Sequence, residues 1–321
     1  MGFIIMENKP EPKDRSKVLR AIGIILLAVG IFSFFIAPLE VICFYFFVEG
    51  GRFYFEGFNF GSFMFALITI QIIGYYLIAA MFIPLGYGHI KLRSWSRNLS
   101  LTYLWFWMVV GIPLTILFVF ILITSKGPSL WLVITIIPLM YPVIPAILIW
   151  FYRRKDVELT LKSRDKSTYW IEKIPIPVLV IIMLFILYIL DLNALLFLRG
   201  MFPFFGILLF DSYGALLISI STLIFSFLIW GLYQLKAWAW WGSVTYFGLI
   251  AISFLLTFSI KSLYDIYPIM NIAPLELKFF QNIPFQNFRL SVFMAIPLLV
   301  TLAIIIYSKK YFFGKNLINN K

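Results

Sequence analysis

Residues 21–47 read AIGIILLAVGIFSFFIAPLEVICFYFF, an apolar run in which Glu40 is the single charged residue. A hydrocarbon layer about 30 Å thick is crossed by about 20 helical residues rising about 1.5 Å each. The run is therefore long enough to span a membrane. It also exceeds the roughly 7–15 apolar residues of a secretory signal, which makes it an uncleaved first span.

Seven further apolar runs follow outward from it, at 63–87, 99–124, 130–151, 174–197, 213–233, 242–260 and 290–307. Over 321 residues the chain is 62% hydrophobic and only 12% charged, with a mean hydropathy of +0.98. Soluble domains carry about 25% charge, so a soluble fold is excluded. The expected fold is all-α, a polytopic bundle of about eight spans. Residues 201–210 form a further apolar stretch, short enough only to dip back into the membrane interface.

Lys and Arg fix the expected orientation, because short cytoplasmic loops hold their excess. With the N-terminus inside, basic residues gather in five cytoplasmic segments: the arm before the first span, the loop with Lys91, Arg93 and Arg97, the central segment from Arg153 to Lys173, the loop with Lys236, and the tail from Lys309. Only Arg52, Lys126, Arg199, Lys261, Lys278 and Arg289 fall outside. Both termini are expected in the cytoplasm. This distribution also accounts for the net charge of +12 without nucleic acid, and leaves membrane lipids, anionic headgroups included, as the partner that the charge implies.

Two loops match across the halves of the chain. Gly88-His-Ile-Lys-Leu92-Arg93-Ser-Trp95 aligns without gaps on Gly231-Leu-Tyr-Gln-Leu235-Lys236-Ala-Trp238, and Ser100-Leu-Thr102-Tyr103 follows in register on Ser243-Val-Thr245-Tyr246. The match predicts two parallel four-helix repeats, 21–155 and 174–313, joined by a charged linker at 156–173 and flanked by an arm at 1–20 and a tail at 314–321. Each repeat has an even number of spans, so both enter from the same side. In each loop the glycine is expected to end a helix, Arg93 or Lys236 to anchor at the cytoplasmic headgroups, and Trp95 or Trp238 to sit at the interface.

The loop Gly231-Leu-Tyr-Gln-Leu-Lys-Ala-Trp-Ala-Trp-Trp241 resembles a basic, tryptophan-rich cytoplasmic loop of prokaryotic multi-pass membrane proteins that have no assigned activity. The resemblance implies a plasma membrane location in a bacterium or archaeon, and no catalytic residues.

Candidate site residues are few. Glu40 and Asp191 interrupt apolar runs, and intramembrane acids are costly enough to suggest a proton or cation site. Their depth near the outer edge of the hydrocarbon favours instead a pairing with Arg52 or Arg199. Gln71 and the hydroxyls of Ser219, Ser221, Thr222 and Ser226 are expected to bridge helices. Pro138, Pro142 and Pro145 must break the fourth span's hydrogen bonding. Segments 49–63 and 263–288, rich in Phe and Tyr, are expected to lie as lids at the outer surface. Cys43, the single cysteine, is expected as a small packing residue.

The chain has no H-E-x-x-H, no Walker phosphate loop and no G-x-G-x-x-G, and its single histidine, His89, has no second ligand nearby in sequence. No cofactor and no metal is expected. A non-enzymatic role follows, either a small transporter or channel or, alternatively, an accessory subunit that binds a partner protein or a second copy. A lipid-modifying enzyme comes third: the acids it would need, Asp156, Glu158, Asp165 and Glu172, sit among Lys and Arg as in a solvated linker.

Overall fold

The computed structural model describes residues 13–44, 63–125, 136, 138–261 and 290–313. The segments 49–62 and 263–288 expected as lids lie outside these, as does Arg52.

Among the described residues, seven helices are long and apolar enough to cross a membrane. They belong to α1 (Ser16–Phe44), α2 (Phe63–Ile90), α3 (Trp95–Ser125), α6 (Ile176–Ala194), α7 (Asp211–Tyr233), α8 (Ala237–Ile260) and α9 (Leu290–Tyr307). The expected span at 130–151 is present among the described residues only as a shorter apolar helix, α4 (Leu139–Tyr152). A short helix α5 (Lys155–Arg164) lies between the two groups of spans, and α10 (Lys310–Phe313) closes the described chain.

The outward faces carry Ile24, Ile25 and Phe32 at 61%, 62% and 67% exposure, surfaces suited to lipid. Inside lipid, apolar burial no longer drives helices together, and close packing takes over. Small residues supply it between α1 and α2: a Cβ on Gly86 would lie 2.6 Å from the Leu27 nitrogen, and one on Gly23 2.9 Å from the Gly86 oxygen. The other bundle packs by aromatic contact. Phe185 of α6, Phe225 of α7 and Phe247 of α8 are fully buried, with Phe185 edge-on to Phe225 at 4.9 Å and stacked on Phe247 at 6.0 Å. Helix α3 touches both α6 and α9 and so joins the two groups.

Pro142 and Pro145 of α4, with Pro138 just before it, accompany a turn of π-helix at Leu139–Val143 that contains Pro142. Proline withholds a helical amide, and widening the helix by one residue is the local solution. Tyr141 in this turn stacks on Trp107 at 5.6 Å, above Gly111 of α3, where a Cβ would come within 2.9 Å of the tyrosine ring.

The matched loops adopt one geometry, which corrects the role expected for their glycines. Helix α2 ends where the Arg93 amide donates to the Gly88 carbonyl at 2.8 Å and the Leu92 amide to the His89 carbonyl at 3.1 Å; α7 ends with Lys236 to Gly231 at 3.0 Å and Leu235 to Leu232 at 2.9 Å. This is a Schellman end in both places. The left-handed residue is leucine each time, with φ of 54° at Leu92 and at Leu235, a conformation costing about 1–2 kcal/mol for an L-residue. The glycines serve packing: a Cβ on Gly88 would lie 2.7 Å from the Trp95 ring, and one on Gly231 2.5 Å from the Trp238 ring.

Residues 202–209 form an antiparallel hairpin, β1 (Phe202–Phe204) and β2 (Ile207–Leu209). Its turn residues Phe205 and Gly206 both have positive φ, 42° and 98°, as type I′ turns require. Backbone groups inside an apolar environment need partners, and α8 provides them. The Ser253 hydroxyl accepts from the Phe205 amide at 3.0 Å and donates to the Pro203 carbonyl at 2.9 Å, and the Thr257 hydroxyl accepts from the Gly206 amide at 3.0 Å.

Candidate functional site

A cavity of about 550 Å³ opens where α3 meets the second group of helices. Val109, Pro113 and Leu114 line it from α3; Leu184, Tyr188 and Asp191 from α6; Phe225 from α7; Phe247, Ile250 and Phe254 from α8; and Pro297 and Thr301 from α9. Its size falls in the range of small-molecule sites, about 300–1,000 Å³.

Two of these helices reach the cavity at a proline. Pro113 withholds the amide that would bond the Val109 carbonyl, and both residues face the cavity. Pro297 lies inside α9, and its carbonyl is 3.5 Å from the Tyr188 hydroxyl. That hydroxyl has a better partner in Thr301 at 3.0 Å, so the two hydroxyls on the cavity wall bond to each other.

Asp191 follows Tyr188 by three residues and therefore shares its helical face. It is exposed within the bundle, lining the cavity, and is the one charged residue among the lining side chains. The pairing expected with Arg199 does not form: Arg199 places two nitrogens on Asp211, at 3.2 and 3.3 Å to one oxygen and 3.0 Å to the other. No hydrogen bond or ion pair to the Asp191 carboxylate occurs among the described residues.

The other acid and the amide of the expected polar site stand elsewhere. Glu40 is in α1, and its Oε2 is buried without a hydrogen-bond partner among the described residues. Gln71 of α2 donates to the Tyr75 hydroxyl at 3.0 Å within its own helix. Neither lines the cavity. Cys43 is exposed near the end of α1, not packed as expected. Of the hydroxyls on α7, Ser221 accepts from Tyr246 of α8 at 2.9 Å and Thr222 from Asn193 of α6 at 2.9 Å, whereas Ser219 and Ser226 bond back to their own helix.

A second polar cluster lies at the opposite end of the bundle. His89 is fully buried, with Nδ1 2.7 Å from the Leu85 carbonyl and Nε2 2.7 Å from the Tyr152 hydroxyl and 3.3 Å from that of Ser100. A carbonyl only accepts, so Nδ1 carries a proton. Both ring nitrogens are engaged.

Beside it, α5 is bound by its acids to the starts of α1 and α3. Asp156 accepts from Arg15 at 2.7 Å and Arg154 at 3.1 Å, and Glu158 pairs with Arg97 at 3.1 Å and Lys162 at 2.7 Å. Asp165, almost buried, accepts from the Ser94 and Ser167 amides at 3.3 and 3.1 Å and faces Arg93 at 3.8 Å. Residues read as a solvated linker therefore form a docked helix with Val157 and Leu161 fully buried. Arg93 is thereby held to the protein, whereas Lys236 is exposed. Trp95 is half-buried over Gly88, and Trp238, 40% exposed, stacks on Phe227 at 4.7 Å.

Sequence alone offered Asp191 but not its surroundings. Tyr188 and Thr301 are separated by more than a hundred residues, and Val109 and Pro113 belong to the other half of the chain, so no local pattern joins them. Known protein families, curated proteins and solved structures provide no match to this chain.

Proposed function

We propose that this multi-pass membrane protein is a small transporter whose substrate occupies the cavity between α3, α6, α8 and α9. The observation that carries the reading is Asp191, a carboxylate with no partner among the described residues and the one charged group they place in the chamber wall. Ionisable groups in a membrane-spanning helix that face the bundle interior are costly and usually belong to a pathway. The prolines of α3 and α9 at the chamber wall supply helices able to bend around it.

The transporter resides in a prokaryotic plasma membrane with both termini cytoplasmic, its basic face against anionic headgroups. It is built from two parallel four-helix repeats, α1–α4 and α6–α9. The shared Schellman ends at Leu92 and Leu235 support the repeat, as do two further contacts: Arg97 Nε donates to the Tyr152 carbonyl at 2.9 Å, and Trp240 Nε1, at the matching position, to the Ile305 carbonyl at 2.7 Å.

The test is reconstitution into proteoliposomes and a flux screen over cationic, anionic and neutral solutes, comparing the natural chain with Val110→Trp, which fills the chamber from α3. At least one solute should move with the natural chain and stop with the variant. Absence of any flux, together with a stoichiometric protein partner in native mass spectra of the protein from its own membrane, overturns transport in favour of an accessory subunit.

A further inference from the structure

The proposal concerns what the chamber holds, and it rests on the reading that the chamber is a binding site. We infer that its ligand is a lipophilic organic cation, seated with its charge against Asp191 and its hydrocarbon groups against Tyr188, Phe247 and Phe254.

Charge is the first argument. An ionised carboxylate in an apolar setting requires a compensating partner, and none of the lining residues among those described is basic. Arg199, the nearest basic residue in sequence, is committed to Asp211 by three hydrogen bonds. The missing positive charge is therefore left to the ligand.

The second argument is the wall. A small hard cation sheds its water only for about six oxygen ligands, and the described lining side chains offer one carboxylate and the two hydroxyls of Tyr188 and Thr301. That set is also small for a sugar or other polyol. Aromatic faces instead attract a diffuse cation through the ring quadrupole, the more strongly where water is excluded. Phe247 stands 5.1 Å from Tyr188, ring centre to ring centre, in a tilted arrangement, and Phe254 extends the aromatic wall along α8. A bulky apolar cation uses every part of this surface, and a chamber of about 550 Å³ accommodates a drug-sized one.

The experiment is equilibrium binding of tetraphenylphosphonium to the purified full-length protein, with tetraphenylborate, of the same shape and opposite charge, as the control for partition into detergent. Saturable binding of the phosphonium is expected, without competition by the borate. Asp191→Asn should weaken it at least tenfold, Asp191→Glu should retain most of it, and both variants should keep the natural melting temperature. Val110→Trp should abolish it. Equal binding to the natural chain and Asp191→Asn, with loss in Val110→Trp, overturns the cationic ligand and leaves the chamber a binding site. Binding that Val110→Trp does not affect overturns both. If the phosphonium does not bind at all, the cation is refuted, and a co-purifying neutral lipid that Val110→Trp expels would uphold the chamber alone.

Discussion

The Tyr152 hydroxyl lies 2.7 Å from Nε2 of His89, tying the last residue of α4 to the end of α2 through the centre of the first helix group. Removing it in Tyr152→Phe leaves a buried ring nitrogen with Ser100 alone, at 3.3 Å. A buried acceptor deprived of its donor costs about 1–3 kcal/mol. The variant should melt several degrees lower in detergent. The double variant His89→Leu with Tyr152→Phe removes both polar partners and should recover part of that loss, which a double-mutant cycle measures. Additive losses would show that the two side chains do not act as a pair.

The acids of α5 make the cytoplasmic-end assembly sensitive to acid. Burial pushes the Asp156 carboxyl up, but hydrogen bonds from Arg15 and Arg154 outweigh this and hold it below its usual 3.8. For Glu158 the Lys162 hydrogen bond is the leading influence, aided by Arg97, and the net direction is again downward from 4.5. At Asp165 burial is likewise outweighed, by the Ser167 and Ser94 amides. A folded-state value below the unfolded one means stabilisation that is full above the usual carboxylate range and vanishes as pH falls through the lowered values. Melting temperature should therefore drop between about pH 5 and pH 3. The triple variant Asp156→Asn, Glu158→Gln, Asp165→Asn should start lower and show a flatter profile; an unchanged slope would refute the assignment to these three groups.

Much of this fold is readable from the sequence because membranes demand long apolar helices, and runs such as 21–47 announce them without reference to any partner. The loop match was readable too, yet its mechanics were not. Glycine is the residue expected at a left-handed helix end, so Gly88 and Gly231 drew that role, and leucine at φ of 54° leaves no signal in residue type. Its compensation is tertiary: Leu92 is 2% exposed in the cluster with Leu19, Leu101 and Tyr152. The docking of α5 was hidden for a similar reason, since a charged segment has the same composition whether its partners are water or Arg15 and Arg97. The chamber around Asp191 depends on contacts between halves, which hydropathy does not encode.

The sole cysteine gives a direct check on orientation. Cys43 is exposed and stands about 40 Å along α1 from Ser16 at 1.5 Å per residue, beyond a hydrocarbon layer about 30 Å thick. A membrane-impermeant maleimide should label it in intact cells of the host, and Cys43→Ser should abolish the label. Labelling only after the membrane is opened would invert the topology.

Glycines whose neighbours differ should respond differently to substitution. On Gly88 an added methyl meets the Trp95 ring at 2.7 Å, a side chain that can be shortened; on Gly86 it meets the Leu27 backbone nitrogen at 2.6 Å. Overpacking of this kind costs about 1–3 kcal/mol. Gly88→Ala and Gly86→Ala should both lower the melting temperature, but Trp95→Leu should rescue only the first. Rescue of neither would indicate that Gly88 is held by the helix end and not by the tryptophan.

The hairpin at 202–209 depends on two hydroxyls of α8, and these can be removed with little change of shape. Thr257→Val keeps the volume of the side chain but leaves the Gly206 amide without its acceptor at 3.0 Å. Ser253→Ala removes the acceptor for Phe205 and the donor to Pro203 together. Each unsatisfied buried group costs about 1–3 kcal/mol, and Ser253→Ala leaves two where Thr257→Val leaves one, so the serine variant should be the more damaging. Because Phe205 and Gly206 occupy a turn of positive φ, lost bonds should release the turn before they unfold α8. Hydrogen exchange should therefore quicken at 202–209 in both variants and stay slow at 243–250. Uniform acceleration along α8 would mean that the hydroxyls support the helix itself, whereas no acceleration in the hairpin would show that its two strands hold without them.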